Sequence, residues 1–289
     1  MKFALHFGNI NFPDAAGAAR VARLAEQAGF DTLLAIDHVV LPQRYDSVYP
    51  YSADGRMPAA NTAAYPDPLI WMAFALAATT RLKLMTGVII LPQREPLVLA
   101  KQVATLDSMS GGRVELGIGV GWLREEFAAL GVPFEKRGKR ADEYLAAMRA
   151  LWASDGASHA GEFVNFQGVN SNPKPVRGSV PIIIGGHSEA AARRAGRLGQ
   201  GFFPSIGSQN DVFPLFDTVA RAAEAAGRDP ADIERITGCP GALGPDPLAA
   251  VAERAARGVG RVVLPMTAFL PNIEEKLAEF GERVIAPSR

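Results

Sequence analysis

The stretch Leu82-Lys-Leu-Met-Thr-Gly-Val-Ile-Ile-Leu91, followed by Pro92, is an apolar run of strand length. A run with so little polar alternation suits a strand covered on both faces, as in a parallel sheet. After Pro96, Leu99, Val103 and Leu106 recur at helical spacing, and Gly111-Gly112 ends the segment. Val114-Glu-Leu-Gly-Ile-Gly-Val120 is a second apolar run, leading into Gly121, Trp122 and an acidic helix start at Glu125 and Glu126. Two strands joined by a crossover helix form the repeating unit of an α/β protein.

The same unit recurs on both sides of this stretch. Lys2 to Phe7 reads as a first strand, Pro13-Asp14 as the cap of a helix stopped by Gly29, and Thr32 to Ile36 as a second strand. Downstream strands are expected at Pro181–Ile184, Gly201–Ser205, Ile233–Thr237 and Arg261–Pro265. Helices are expected at Pro68–Thr79, Glu126–Gly131, Asp142–Ala153, Asp211–Ala226 and Leu248–Arg257, with a last one through Ile273, Leu277, Phe280 and Val284. Eight strands alternating with helices, and no break in composition, predict one (β/α)8 TIM barrel domain over residues 1–289. The competing fold is an open doubly wound sheet, but no strong G-x-G-x-x-G turn opens the chain. Two departures from regularity stand out. Val39 to Pro66 is an extended loop after strand two, far longer than an ordinary βα connection, and His159 to Val180 suggests an inserted hairpin before strand five.

Composition narrows the function. Lysine plus arginine equals aspartate plus glutamate at 30 each, which gives no electrostatic reason to expect nucleic acid or an anionic membrane as a partner. No apolar run approaches the roughly 20 residues of a membrane span. Met1 enters a strand and not a secretory signal, and the lone Cys239 forms no internal disulfide, so a soluble, cytoplasmic protein is expected. His6, His38, His159 and His187 show no metal-ligand spacing, and no metal is expected.

In a barrel of this kind the reactive groups lie just after the strands. Those positions are Gly8-Asn9, Asp37-His38, Thr86-Gly87-Val88, Gly119 to Trp122, Gly185 to Ser188, Ser205 and Met266. An imidazole at His38 could exchange protons near neutral pH, though a packed or surface histidine would read the same way. Gly185-Gly186-His187-Ser188 lies between a strand and a helix, where backbone N–H groups can hold a phosphate; an ordinary turn with Ser188 as N-cap is the alternative. Gly117, Gly119 and Gly121 alternate along strand four, which fits either close wall packing or room for a flat ring.

Together, Asp37-His-Val39, Thr86-Gly-Val-Ile-Ile-Leu-Pro-Gln-Arg94, Leu106-Asp-Ser-Met-Ser-Gly-Gly-Arg113, Gly117-Ile-Gly-Val-Gly-Trp122 and Ile184-Gly-Gly-His-Ser188 resemble the luciferase-like monooxygenase superfamily. More closely they resemble its branch of oxidoreductases using the deazaflavin coenzyme F420. The resemblance implies a cofactor site at Thr86, Gly87, Val88, Gly119, Gly121, Trp122, Gly185, Gly186, His187 and Ser188. It implies a non-prolyl cis peptide at Gly87-Val88 behind the ring, a phosphate turn at Gly185-Gly186, and His38 as the catalytic proton handler; the adjacent Asp37 is expected to orient or polarise it. Members of the family are commonly dimers, and the helix bearing Trp71, Met72, Phe74 and Leu76 is apolar around its circumference, so a homodimer using it is expected; burial within one subunit would explain the same residues. Where relatives that oxidise sugar phosphates carry an acidic residue, this chain has Trp122, and it lacks their tryptophan after the Asp-His pair. The expected activity is hydride transfer between F420 and a small organic substrate. An FMN-dependent monooxygenase is the alternative, and a non-catalytic flavin-binding relative a second.

Overall fold

The structure is a computed structural model describing residues 1–204 and 211–289. Ser205, at the end of an expected strand, lies outside the described residues. The strands are β1 (Lys2–His6), β2 (Thr32–Ala35), β3 (Lys83–Thr86), β4 (Ile89–Ile90), β5 (Val114–Gly119), β6 (Ala157–Ala160), β7 (Asn165–Val169), β8 (Ile182–Gly185), β9 (Gly201–Phe203), β10 (Glu234–Gly238) and β11 (Arg261–Pro265). Parallel pairing runs β1-β2-β3-β5-β8-β9-β10-β11, and β11 returns to β1 with Lys2 beside Arg261 and His6 beside Pro265. The sheet is therefore a closed eight-stranded parallel barrel, with β4 continuing the line of β3 along β5.

The apolar run that decides the fold is not one continuous strand. It breaks between β3 and β4, where the Gly87-Val88 peptide is cis, as the resemblance implied. Helices α1 (Gly8–Asn11), α2 (Ala15–Gln27), α3 (Pro68–Ala77), α4 (Pro96–Ser110), α5 (Arg124–Ala129), α6 (Arg137–Ala153), α7 (Glu189–Leu198), α8 (Phe213–Ala225), α9 (Pro247–Ala256) and α10 (Ile273–Phe280) surround the sheet. Their ends follow the local chemistry read from the sequence. Asp14 caps α2 through the Gly17 N–H, Pro96 opens α4, and Gly111 closes α4 in the left-handed conformation. Helix α6 starts five residues earlier than the apolar spacing indicated, because its first turn, Arg137–Ala141, is mostly polar and carries no apolar signal. The inserted hairpin is the antiparallel pair β6 and β7, outside the barrel. Among the described residues no helix is long and apolar enough to cross a membrane.

Side chains alternate along each strand, so inward-facing residues stack in layers. The middle layer is apolar: Ala4, Leu34, Met85, Ile183, Phe203, Ile236 and Val263 form one buried cluster. The layer at the N-terminal end is charged. Arg261, 1% exposed, donates to Glu115 (2.5 Å), Glu234 (2.6 Å) and Thr32 (3.1 Å), while Lys83 reaches Glu115 at 3.2 Å. Burial would raise the Glu115 carboxyl, but the charges of Arg261 and Lys83 overcome it and hold the group below the ordinary range. The third layer, two residues beyond the apolar one, contains His6, Gly87, Gly119, Gly185 and Gly238 at the C-terminal mouth.

Candidate active site

The glycines at the mouth are explained by Val88. A β-carbon on Gly119 would lie 2.8 Å from Val88 Cγ2, and one on Gly185 would lie 2.7 Å from Val88 Cγ1. Turned inward by the cis peptide, the Val88 side chain occupies the space those two glycines leave. Gly117 is required because a β-carbon there would overlap the Thr86 carbonyl oxygen, and Gly121, at φ +80°, faces Phe127 and Ile90. Of the two readings of the alternating glycines, close wall packing is the one the distances fit, with Val88 in the space beside Gly119 and Gly185. What remains for a flat ligand is the surface that Val88 presents. Thr86 is fully buried, and its hydroxyl donates to the Gly117 carbonyl at 2.6 Å, which clasps β3 to β5 beneath that surface.

His38 follows β2 and faces the mouth, but Asp37 does not orient it. The Asp37 carboxylate accepts from Arg94 (2.6 Å) and from the Ile90 N–H (3.0 Å), and Arg94 also reaches Asp67 at 2.8 Å. This group fixes the β4 turn and the start of α3. Burial pushes the Asp37 carboxyl up, with Arg94 opposing. Glu126, 1% exposed in α5, is the partner of His38: its Oε2 lies 3.0 Å from Nδ1, and its Oε1 accepts from Val39 N–H at 2.7 Å and from Val40 N–H at 3.3 Å. Burial opposes ionisation of Glu126, yet the His38 ring and the Val39 N–H outweigh it and hold the carboxyl below its usual range. An ionised Glu126 fixes the Nδ1–H tautomer of His38 and leaves Nε2 as the basic nitrogen.

The segment 39–66 closes over this pair. Its base is pinned by Asn9, fully buried, whose amide donates to the carbonyls of Ile36 (2.8 Å) and Pro66 (3.1 Å), the two ends of the loop. Its middle is pinned by Glu125, which accepts from Asp46 N–H (2.7 Å), Ser47 N–H (3.1 Å) and the Ser47 hydroxyl (2.7 Å). Aromatic rings line the loop. Tyr45 and Tyr49 pack edge-on to Trp122 with centroids at 5.6 and 5.2 Å, Tyr65 packs on His38 at 5.7 Å, and Tyr51 lies 4.8 Å from His187. Burial, aided by neighbouring tyrosines, pushes Tyr49 up to about 12, so it remains an uncharged phenol. The loop thereby joins the His38 side of the mouth to the Gly185–Ser188 side.

At that second side Gly186 takes φ +114°, and its N–H donates to the Phe203 carbonyl at 3.3 Å. The Ser188 hydroxyl caps α7 by accepting from Ala191 N–H at 3.2 Å, the ordinary N-cap arrangement. An anion at this turn would meet the amides that follow Gly186, at the positive end of a ten-residue helix. Met266, another strand-end residue, is fully buried in the core.

Residue reading thus locates His38, Val88, Gly119, Trp122 and the Gly185–Ser188 turn at one mouth. It missed Glu126, which looked like one more acid at a helix start, and His6, whose inward position follows from simple alternation with Ala4. No group of acidic, histidine or cysteine side chains that could hold a metal occurs among the described residues.

The comparisons agree with this architecture. An uncharacterized Mycobacterium tuberculosis protein, Rv0953c, is 38% identical over 183 residues, covering 63% of this chain and 65% of that protein. An FMNH2-dependent dimethylsulfone monooxygenase of Pseudomonas putida is 33% identical over 156 residues, covering 53% of this chain and 43% of the relative. The structure of a coenzyme F420-dependent tetrahydromethanopterin reductase from Methanopyrus kandleri superposes with a TM-score of 0.78 at 17% identity, over 100% of this chain and 99% of that one, a likeness of fold. The profile of the luciferase-like monooxygenase family matches residues 5–283, and the chain belongs to that family.

Proposed function

We propose that the protein transfers hydride between C5 of coenzyme F420 and a small organic substrate at the barrel mouth, beneath the segment 39–66. The observation that carries this reading is the pairing of two features across one opening: the Val88 surface, and His38 held by buried Glu126 at 3.0 Å. Val88 backs a flat ring, and the turn at Gly186 with the start of α7 suits a phosphate. When bound, the deazaflavin supplies the hydride chemistry, and the protein supplies orientation and proton management. His38 takes a proton from the substrate oxygen or nitrogen at Nε2, or returns one there, and Glu126 stabilises the imidazolium formed. The aromatic loop keeps water from the mouth while this happens.

F420 is favoured over FMN by the motif set; the fold likeness does not separate them, since an F420-dependent reductase and a monooxygenase each match the whole chain. The FMN reading draws its support from the higher identity of the FMNH2-dependent relative. Titration of the purified protein with both cofactors decides between them. F420 is expected to bind saturably and more tightly; copurifying FMN without saturable F420 binding would reject the proposal. His38→Ala is then expected to lower kcat by roughly 10²–10⁴-fold with little change in cofactor affinity.

A further inference from the structure

The rings beside His38 form one continuous arc. Tyr65 stands 5.7 Å and Trp122 6.3 Å from the imidazole, centroid to centroid, and Trp122 in turn meets Tyr45 at 5.6 Å and Tyr49 at 5.2 Å. The interplanar angles of these contacts are 88°, 87°, 76° and 70°, an edge-to-face arrangement in which each ring is held by its neighbour. Trp122, Tyr45, Tyr49 and Tyr65 are all part-exposed, so the arc borders open space and is not closed core. Burial raises the phenols of Tyr49 and Tyr65, and both stay uncharged.

The charges around the arc are already engaged by the protein. Glu126 accepts from His38, Val39 and Val40, Glu125 accepts from Asp46 and Ser47, and Arg94 is shared by Asp37 and Asp67. Arg44, Asp46, Asp54 and Arg56 of the loop are exposed, and Arg56 donates to the Tyr45 carbonyl at 2.9 Å. The charge facing His38 is therefore the ionised Glu126, 1% exposed and 3.0 Å from Nδ1. An anionic ligand would meet that charge across a single imidazole, beneath rings that screen it poorly. A cationic ligand gains from aromatic faces, but these rings turn edges and faces to one another, and it would oppose the imidazolium that forms when His38 takes a proton. A neutral ring meets neither cost and extends the edge-to-face packing.

We propose that the substrate of this mouth is an uncharged compound with a flat aromatic body, seated against Trp122, Tyr45 and Tyr49 with its reacting oxygen or nitrogen toward His38. Trp122 sets the preference, because it is the ring that contacts His38, Tyr45 and Tyr49 together. The proposal rests on the reading of the mouth as a hydride-transfer site.

Four probes of one shape test it: 2-naphthylmethanol, its decahydro counterpart, 2-naphthoate and 2-naphthylmethylammonium. The chain has three tryptophans, and Trp71 and Trp152 are each 2% exposed, so in protein labelled with 5-fluorotryptophan they serve as internal controls. The resonance lost in Trp122→Phe identifies Trp122. Each probe is titrated into the labelled protein with and without F420 or FMN. 2-Naphthylmethanol is expected to move the Trp122 resonance saturably, with a Kd roughly 10-fold or more below that of each other probe. Read from naphthyl fluorescence, Trp122→Phe should keep this affinity within a few-fold, whereas Trp122→Glu should weaken the alcohol roughly 10-fold and favour the ammonium. Tyr49→Ala should also weaken the alcohol while Tyr49→Phe does not, which keeps the test open if Trp122→Glu does not fold. Tighter binding of the acid, the ammonium or the saturated alcohol, or an unmoved Trp122 resonance, would overturn the proposal. The two readings fail separately. If a cofactor binds and Trp122 stays silent to the alcohol, the substrate class falls and the hydride-transfer reading stands; if neither cofactor binds and Trp122 responds, the reverse holds.

Discussion

Replacing Glu126 by glutamine changes one oxygen to an amide nitrogen and keeps the shape of the buried side chain. In the native arrangement the carboxylate accepts from three donors, His38 Nδ1, Val39 N–H and Val40 N–H, at 3.0, 2.7 and 3.3 Å. Glutamine can still accept from the two amides through its carbonyl. Its NH2 then faces His38, and that contact is satisfied only if Nδ1 gives up its proton and Nε2 carries it. The basic nitrogen is turned away from the substrate without any movement of the ring. Hydrogen bonds to a charged group contribute about 1.5–3 kcal/mol and neutral ones about half that, so the stability loss should be about 1–3 kcal/mol. The effect on turnover should be far larger, roughly 10²–10⁴-fold in kcat, because the general base is present in the wrong tautomer. Steady-state hydride transfer, followed by the change in deazaflavin absorbance, measures it in Glu126→Gln, His38→Ala and the double variant. Residues acting as one unit give non-additive losses, so the double variant should be no slower than His38→Ala. Losses that multiply, or a Glu126→Gln enzyme within twofold of wild type, would show that Glu126 does not act through His38.

Three further outcomes follow from the geometry. Gly186→Val puts a β-carbon 3.2 Å from Ala191 Cβ in a backbone at φ +114°, so it should weaken cofactor binding in titrations while kcat at saturation is largely retained. Glu125 responds to acid: burial raises its carboxyl, but the Ser47 hydroxyl and the Asp46 and Ser47 amides outweigh this and bring it from 4.5 down to about 2. A carboxyl depressed on folding stabilises the loop fully above its ordinary pKa and stops doing so as pH falls through the folded value. Hydrogen exchange at Asp46 and Ser47 should therefore accelerate between about pH 4.5 and 2, and Glu125→Gln should show no such step. The expected homodimer uses α3, where Trp71, Met72 and Leu76 are covered within the subunit but Ile70 is 66% and Phe74 50% exposed. Light scattering should find a dimer at micromolar concentration and a monomer after Phe74→Glu; a monomeric wild type would dismiss the interface.

The barrel was legible because its strands are buried on both faces and so read as unbroken apolar runs, each followed by a segment of helical period. The break at Gly87-Val88 was not a matter of hydrophobicity, and periodicity alone passes through it; the motif resemblance located it. The site was half legible for a related reason. His38 and the Gly185–Ser188 turn lie directly after strands, where position along the chain is informative. Glu126 and Arg94 act across 88 and 57 residues of sequence separation, and nothing local distinguishes them from other surface charges. The pairing of neighbours Asp37 and His38 was the natural inference from adjacency. In an extended segment, however, successive side chains point opposite ways, so adjacent residues end with different partners.

The charged layer at the far end of the barrel bears on how the chain assembles. Arg261 belongs to the last strand, and it supplies the counter-charge for Glu115 from the middle of the chain and for Glu234 from the strand before it. During synthesis more than a hundred residues follow Glu115 before Arg261 appears, and through that interval the half-exposed Lys83 of the neighbouring strand is the partner the acid has, without the buried guanidinium that completes its pairing. Closure of the ring is thus reserved for the moment when β11 arrives between β1 and β10. A chain cut before residue 261 would lack the strand that joins the two edges of the sheet, and it would also lack the cation that makes the inside of the barrel habitable for Glu115.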